Sequence, residues 1–235
     1  MDTIPLSMPI LMDGATGTEL RRLGMPDGAC TEQWVLEHPQ ALLEVQRRYV
    51  QAGSRILLAP TFGANRASLE RRGIMGQVRE YNQRLVELTR QAAGDGVLVA
   101  GDMAPAGLTL VPFGESSFEE LVAVYTEQAA ALEAAGVDLF FLETMTDMAQ
   151  ARAAVLACKS VSDKPVWVSF TCDDEGRTPG GTDVLAGLIV MQGMGVSAFG
   201  LNCTSPEDTA EQLERLTPYA SIPLIAKPSA GLPGA

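Results

Sequence analysis

Seven short apolar runs in this 235-residue chain each close on residues able to bind, donate or attack. In chain order the closing residues are Asp13-Gly14, Thr61, Asp102, Glu143, Thr171, Asn202-Cys203 and Lys227. Glu143 ends the run Leu139-Phe140-Phe141-Leu142, where a carboxylate is costly unless it meets a cation or a donor. It could grip an ammonium group, or form a salt bridge inside a barrel mouth. Cys203 is a candidate nucleophile or zinc ligand, or simply a small apolar residue. Zinc would need about three further ligands, and no other cysteine or histidine offers itself as a partner. The loop Asp13-Gly14-Ala15-Thr16-Gly17-Thr18-Glu19 is small enough for a close backbone approach to an anionic or amino-acid head group. It serves equally as a plain glycine-rich turn, and it has neither the dinucleotide nor the P-loop spacing. Lys227 could form a Schiff base, or bind anions or solvent. His38, the sole histidine, precedes Pro39 at a helix start and reads as a capping or surface residue. With no second histidine, serine-type triads and histidine-rich metal sites are excluded.

Such groups meet only if the elements bearing them converge. The apolar runs read as buried strands near residues 10, 56, 98, 139, 166, 198 and 223. Between them lie amphipathic stretches at 39–53, 75–93, 117–136, 145–160, 183–195 and 206–219, several ending in glycine. Ser117 and Glu120 have the spacing of a capping box. Residues 173–183, rich in Gly, Thr, Asp and Pro, read as a surface loop. Alternating helix and strand implies parallel strands with right-handed crossovers, in an open doubly wound sheet or a closed (β/α)8 barrel. Polar groups at nearly every strand end favour the barrel, because an open sheet gathers its ligands at one switch point. Only seven strands are found. The expectation is therefore a single α/β domain over residues 1–235, a TIM-type barrel cut short after its seventh strand. Its open edges would invite self-association or completion by a partner.

The bulk numbers agree with a soluble cytoplasmic protein. Seventeen basic against 29 acidic residues give a formal charge of −12, which argues against nucleic acid or an anionic membrane as partner. No apolar run reaches the roughly 18–20 residues of a membrane helix. Residues 1–9 lack the basic flank and apolar stretch of a signal peptide. Four scattered cysteines read as reduced thiols rather than as a disulfide scaffold.

Taken as an ordered set, the motifs resemble the homocysteine S-methyltransferase family. The residues that carry the likeness are Leu11-Met12-Asp13-Gly14-Ala15-Thr16-Gly17-Thr18-Glu19-Leu20, Pro60-Thr61-Phe62-Gly63-Ala64-Asn65 and Gly101-Asp102-Met103-Ala104-Pro105. Phe141-Leu142-Glu143-Thr144, Gly200-Leu201-Asn202-Cys203-Thr204 and Lys227-Pro228-Ser229-Ala230-Gly231-Leu232-Pro233 complete it. Within the family the chain is most similar to the homocysteine-binding modules of cobalamin-dependent methionine synthases, with the betaine- and S-methylmethionine-dependent enzymes close behind. The resemblance implies a zinc ion that binds the homocysteine thiol and lowers its pKa for attack on a methyl group. It implies Cys203 as a zinc ligand, Asp13, Gly14 and Glu143 at the amino-acid end of homocysteine, and Thr61 and Asn202 lining the site. Methylcobalamin would arrive on another domain or protein. The family takes two more zinc thiolates from a Gly-Gly-Cys-Cys segment after an eighth strand, and residues 1–235 contain none. The expectation is weak zinc binding and little methyl transfer by these residues alone.

Overall fold

The computed structural model describes residues 9–231; the signal-peptide reading at residues 1–8 and the last two residues of the closing motif, Leu232 and Pro233, lie outside them. The order is α1 (Thr16–Arg22), α2 (Thr31–Glu37), α3 (Pro39–Gln51), β1 (Ile56–Ala59), α4 (Arg66–Arg71), α5 (Val78–Ala93) and β2 (Leu98–Met103). It continues with α6 (Phe118–Ala134), β3 (Leu139–Met145), α7 (Met148–Val161), β4 (Val166–Phe170), α8 (Val184–Gly193), β5 (Ala198–Asn202), α9 (Pro206–Leu216) and β6 (Leu224–Lys227). The six strands pair in parallel in sequence order, as right-handed βα units must when each helix returns the chain to the next place in one sheet.

Each strand is apolar on both faces, and its period of two sorts the side chains into two cores. Leu57, Ala59, Val99, Phe140, Leu142, Val168, Phe199 and Leu201 join the helices in the outer cluster. Ile56, Leu58, Ala100, Leu139, Phe141, Trp167, Ala198 and Ile225 form a separate inner cluster on the concave side. Gly200 must lack a side chain, because a Cβ there would lie 2.0 Å from the carbonyl oxygen of Ile225 on the adjacent strand.

The run expected as the first strand is reduced to one parallel bridge, Met12 to Ile56. The reason is local. Arg55 N donates to Leu11 O and Asp13 N to Ile56 O, but the next amide of β1, Leu58 N, donates to the Asp13 side chain at 2.9 Å instead of to backbone. The carboxylate takes over the ladder and the chain turns away into α1. The loop reading of residues 13–19 is corrected in the same place, since helix begins at Thr16. Helices α2 and α4 went unread because both are short, at seven and six residues. Ser117 does cap α6, accepting from Glu120 N at 3.0 Å. His38 makes no side-chain cap: its ring stacks on Trp34, and its Nδ1 meets Trp34 O at 3.0 Å.

Candidate functional site at the strand ends

The inner-face period that buries Ala100, Phe141, Trp167, Ala198 and Ile225 sends the residue two further along each strand to the same face. Those residues are Asp102, Glu143, Ser169 and Lys227, with Asn202 four past Ala198 on β5. Polar groups thus gather at the carboxyl ends of the strands, the face on which parallel barrels carry their chemistry.

One side of this face is charged. The Lys227 ammonium bonds to the Glu143 carboxylate and lies 5.8 Å from the centre of the Phe141 ring. Asp13 and Asp102 lie beneath, 4% and 5% exposed, each with a buried Oδ1 that has no hydrogen-bond partner. Burial raises the Asp13 pKa to about 7, although Lys227 and the Leu58 amide pull it down. Burial, and then the Glu143 charge, also raise that of Asp102. At Lys227 burial acts against the charge, but Glu143, Asp13 and Asp102 outweigh it and hold the pKa above its usual value. A lysine kept as ammonium is a poor imine-forming nucleophile, so the arrangement weighs against Schiff-base chemistry.

The other side is neutral and fully bonded. Asn202 Oδ1 accepts from Thr144 N at 3.0 Å and from the Ser169 hydroxyl at 2.7 Å. Its Nδ2 donates to Thr144 Oγ1 at 2.6 Å and to Cys203 Sγ at 3.2 Å. Thr144 and Cys203 have φ of 58° and 56°, the only positive values among the described non-glycine residues. Left-handed backbone at a β-branched residue is strained, and it persists only where the surroundings impose it. At Thr144 they do so through a bulge: β3 advances from Leu142 to Met145 while β4 advances only from Val168 to Phe170. The extra residue lets Glu143 face inward and Met145 rejoin the outer core. The Cys203 thiol is exposed, while Cys158 is buried in α7, Cys172 lies beside Thr204 and Cys30 donates to Glu32.

The expected site residues occupy different places. Glu143 and Cys203 reach the open face. Gly14 packs under Tyr49, whose ring atoms would lie 3.0 Å from a Cβ there. Thr61 is fully buried and clasps the backbone of Asp102: its hydroxyl donates to Asp102 O at 2.8 Å and accepts from Asp102 N at 3.1 Å. Thr61 and Asn202 therefore hold neighbouring groups, with little surface of their own to offer a ligand. Asp102 was read as a strand-end acid but given no role, and Ser169 and Thr144 were not singled out. The strand period puts Asp102 and Ser169 on the inner face, whereas the place of Thr144 depends on a bulge. Among the described residues, no three His, Cys, Asp or Glu side chains are grouped to hold a metal ion. One thiol is too few for zinc, so these residues do not by themselves form a zinc site.

A sheet of six parallel strands in sequence order, backed by helices and with a thiol and a carboxylate at its carboxyl ends, is the architecture of part of a (β/α) barrel. Residues 10–235 match the homocysteine S-methyltransferase family, and the chain belongs to it. It is 32% identical to a methionine synthase of Mycobacterium leprae over 94% of its length, but spans only about a fifth (20%) of that protein. It is 28% identical to a homocysteine S-methyltransferase of Escherichia coli, covering 94% of this chain and 78% of the relative. The crystal structure of the homocysteine methyltransferase MmuM from Escherichia coli, in its metallated form, superposes with a TM-score of 0.84 at 28% identity, over 94% of this chain and 84% of that one. The alignment with a barrel enzyme supports the curled six-strand sheet as part of a TIM barrel. Among the described residues no helix is long and apolar enough to cross a membrane.

Proposed function

We propose that this chain binds L-homocysteine at its strand ends and presents the thiol for methylation to methionine. The observation that carries the reading is the pairing of one inward carboxylate, Glu143, with one exposed, hydrogen-bonded thiol, Cys203, on the same face of a barrel of this family. Glu143, with the buried Asp13 carboxyl beneath it, would take the substrate ammonium. Gly14 lets Tyr49 close over the Asp13 loop. Asn202 and Thr61 hold the surrounding backbone in place. Cys203 would be this chain's contribution to a zinc ion, which when bound keeps the homocysteine sulfur as thiolate. Among the described residues no second thiol stands beside Cys203. The Asn202 amide donates toward the Cys203 sulfur and orients it on the open face.

The methionine synthase likeness favours a methyl group delivered from cobalamin on another domain or protein, the chain acting as a homocysteine module of a larger assembly. The MmuM likeness, which spans most of that protein, supports a second reading: a smaller donor such as S-methylmethionine or betaine. Four free cysteines are in keeping with a cytoplasmic setting. Calorimetric titration tests the core of the proposal. L-homocysteine should bind, and N-acetyl-L-homocysteine, which lacks the ammonium, should bind at least about tenfold more weakly, the worth of one charge-assisted contact. Equal affinity for the two, or no binding of either, overturns the reading.

A further inference from the structure

Three carboxylates surround one ammonium at the charged side of the site, and they are not equivalent. The Glu143 and Lys227 side chains retain 12% and 21% exposure, so this pair meets whatever enters. Asp13 and Asp102 lie below it with one unspent oxygen each. The lower acids therefore face Lys227 whether or not Glu143 does. An amino acid is a zwitterion and brings both charges to the same mouth. If its ammonium engages Glu143, as the proposed function holds, Lys227 loses the carboxylate it bonds in the free protein. It stays in the site as a cation with a free face. The exposed carboxylate that can then replace Glu143 on Lys227 is the ligand's own, since Asp13 and Asp102 are buried.

We propose that Lys227 is a substrate-recognition residue that takes the α-carboxylate of the amino acid whose ammonium takes Glu143. Glu143 and Lys227 close on each other in the free protein and open onto a zwitterion when it binds. In the exchange one internal ion pair is given up and two intermolecular ones form. Lys227 thus selects α-amino acids over simple amines, a specificity that Glu143 alone cannot supply.

This inference rests on the homocysteine reading, and the test separates the two. The probes are L-homocysteine and 3-aminopropane-1-thiol, the same molecule without its carboxylate, titrated calorimetrically into the wild-type chain, Lys227→Met and Lys227→Arg. The wild type should prefer homocysteine by about tenfold, the usual worth of one charge-assisted contact. Lys227→Met should reduce that ratio to within about threefold, and Lys227→Arg should restore it, an outcome that a merely structural lysine would not produce. If Lys227→Met does not fold by circular dichroism, Lys227→Gln replaces it, with the same ratio expected. A ratio that stays tenfold in the uncharged variant overturns the role of Lys227 and leaves the homocysteine reading standing. So does tighter homocysteine binding with the ratio unchanged, which would make Lys227 only a competing cation. No binding of homocysteine by the wild type overturns both.

Discussion

The two sides of the strand-end face solve opposite problems. Around Asp13, Asp102, Glu143 and Lys227 the protein buries charge and leaves two carboxylate oxygens without partners. Around Thr144, Ser169, Asn202 and Cys203 it buries no charge and spends every hydrogen-bonding group of the central amide. Unspent charge is expensive to keep and ready to be used on a ligand. A saturated neutral network is rigid, and here it fixes two strained residues so that one thiol stands exposed. The difference assigns recognition to the charged side and presentation of a sulfur ligand to the neutral side.

The largest expected effect lies on the charged side and follows pH. Asp13 has a folded-state pKa near 7, against 3.8 when unperturbed. Between those values the folded protein binds more protons than the unfolded one, so stability falls as pH rises from about 4 to 7. The shift of roughly three units corresponds to about 4 kcal/mol, and Asp102 acts in the same direction. Urea unfolding at pH 4.5 and pH 8 should show this loss in the wild type and a clearly smaller one in Asp13→Asn. An equal loss in both proteins would contradict the assignment of the raised pKa to Asp13.

On the neutral side the next largest effect is expected from Asn202→Leu. It strips the Thr144 amide and the Ser169 hydroxyl of their acceptor and removes what holds Thr144 and Cys203 left-handed, at a cost of about 3 kcal/mol. This loss should not depend on pH, in contrast to that of Asp13, and iodoacetamide should alkylate Cys203 at a changed rate. Smaller again is Gly14→Ala, whose methyl group would press on the Tyr49 ring and should cost about 1 kcal/mol unless the ring tilts away. A thermal melt within 1 °C of the wild type would show that the ring gives freely.

Much of this arrangement was legible in the chain. The glycine stops and apolar runs gave the six strands and the long helices, because parallel strands buried on both faces leave continuous apolar segments. Glu143 and Cys203 stood out because a polar residue at the end of such a run has few other reasons to be there. What escaped were features made by tertiary pairing. Asp13 was legible as the close of the first run, but not as the residue that cuts that run to a single bridge, since its partner is the amide of Leu58, 45 residues away. Thr144 carries no mark of its bulge, because φ at a threonine is set by the register of β3 against β4. Asn202 read as a lining residue because three of its four bonds reach to β3 and β4 and are invisible along the sequence. Lys227 read as an isolated lysine for the same reason, its partner Glu143 lying 84 positions earlier.

The division between a recognising side and a presenting side is tested most directly by homocysteine binding with a chelator present. Calorimetric dissociation constants are compared for the wild type, Glu143→Gln and Cys203→Ser. Glu143→Gln should weaken binding by at least about tenfold, whereas Cys203→Ser should stay within about twofold, because without metal the thiol contributes no charge-assisted contact. Loss of binding in Cys203→Ser with full affinity in Glu143→Gln would contradict the account.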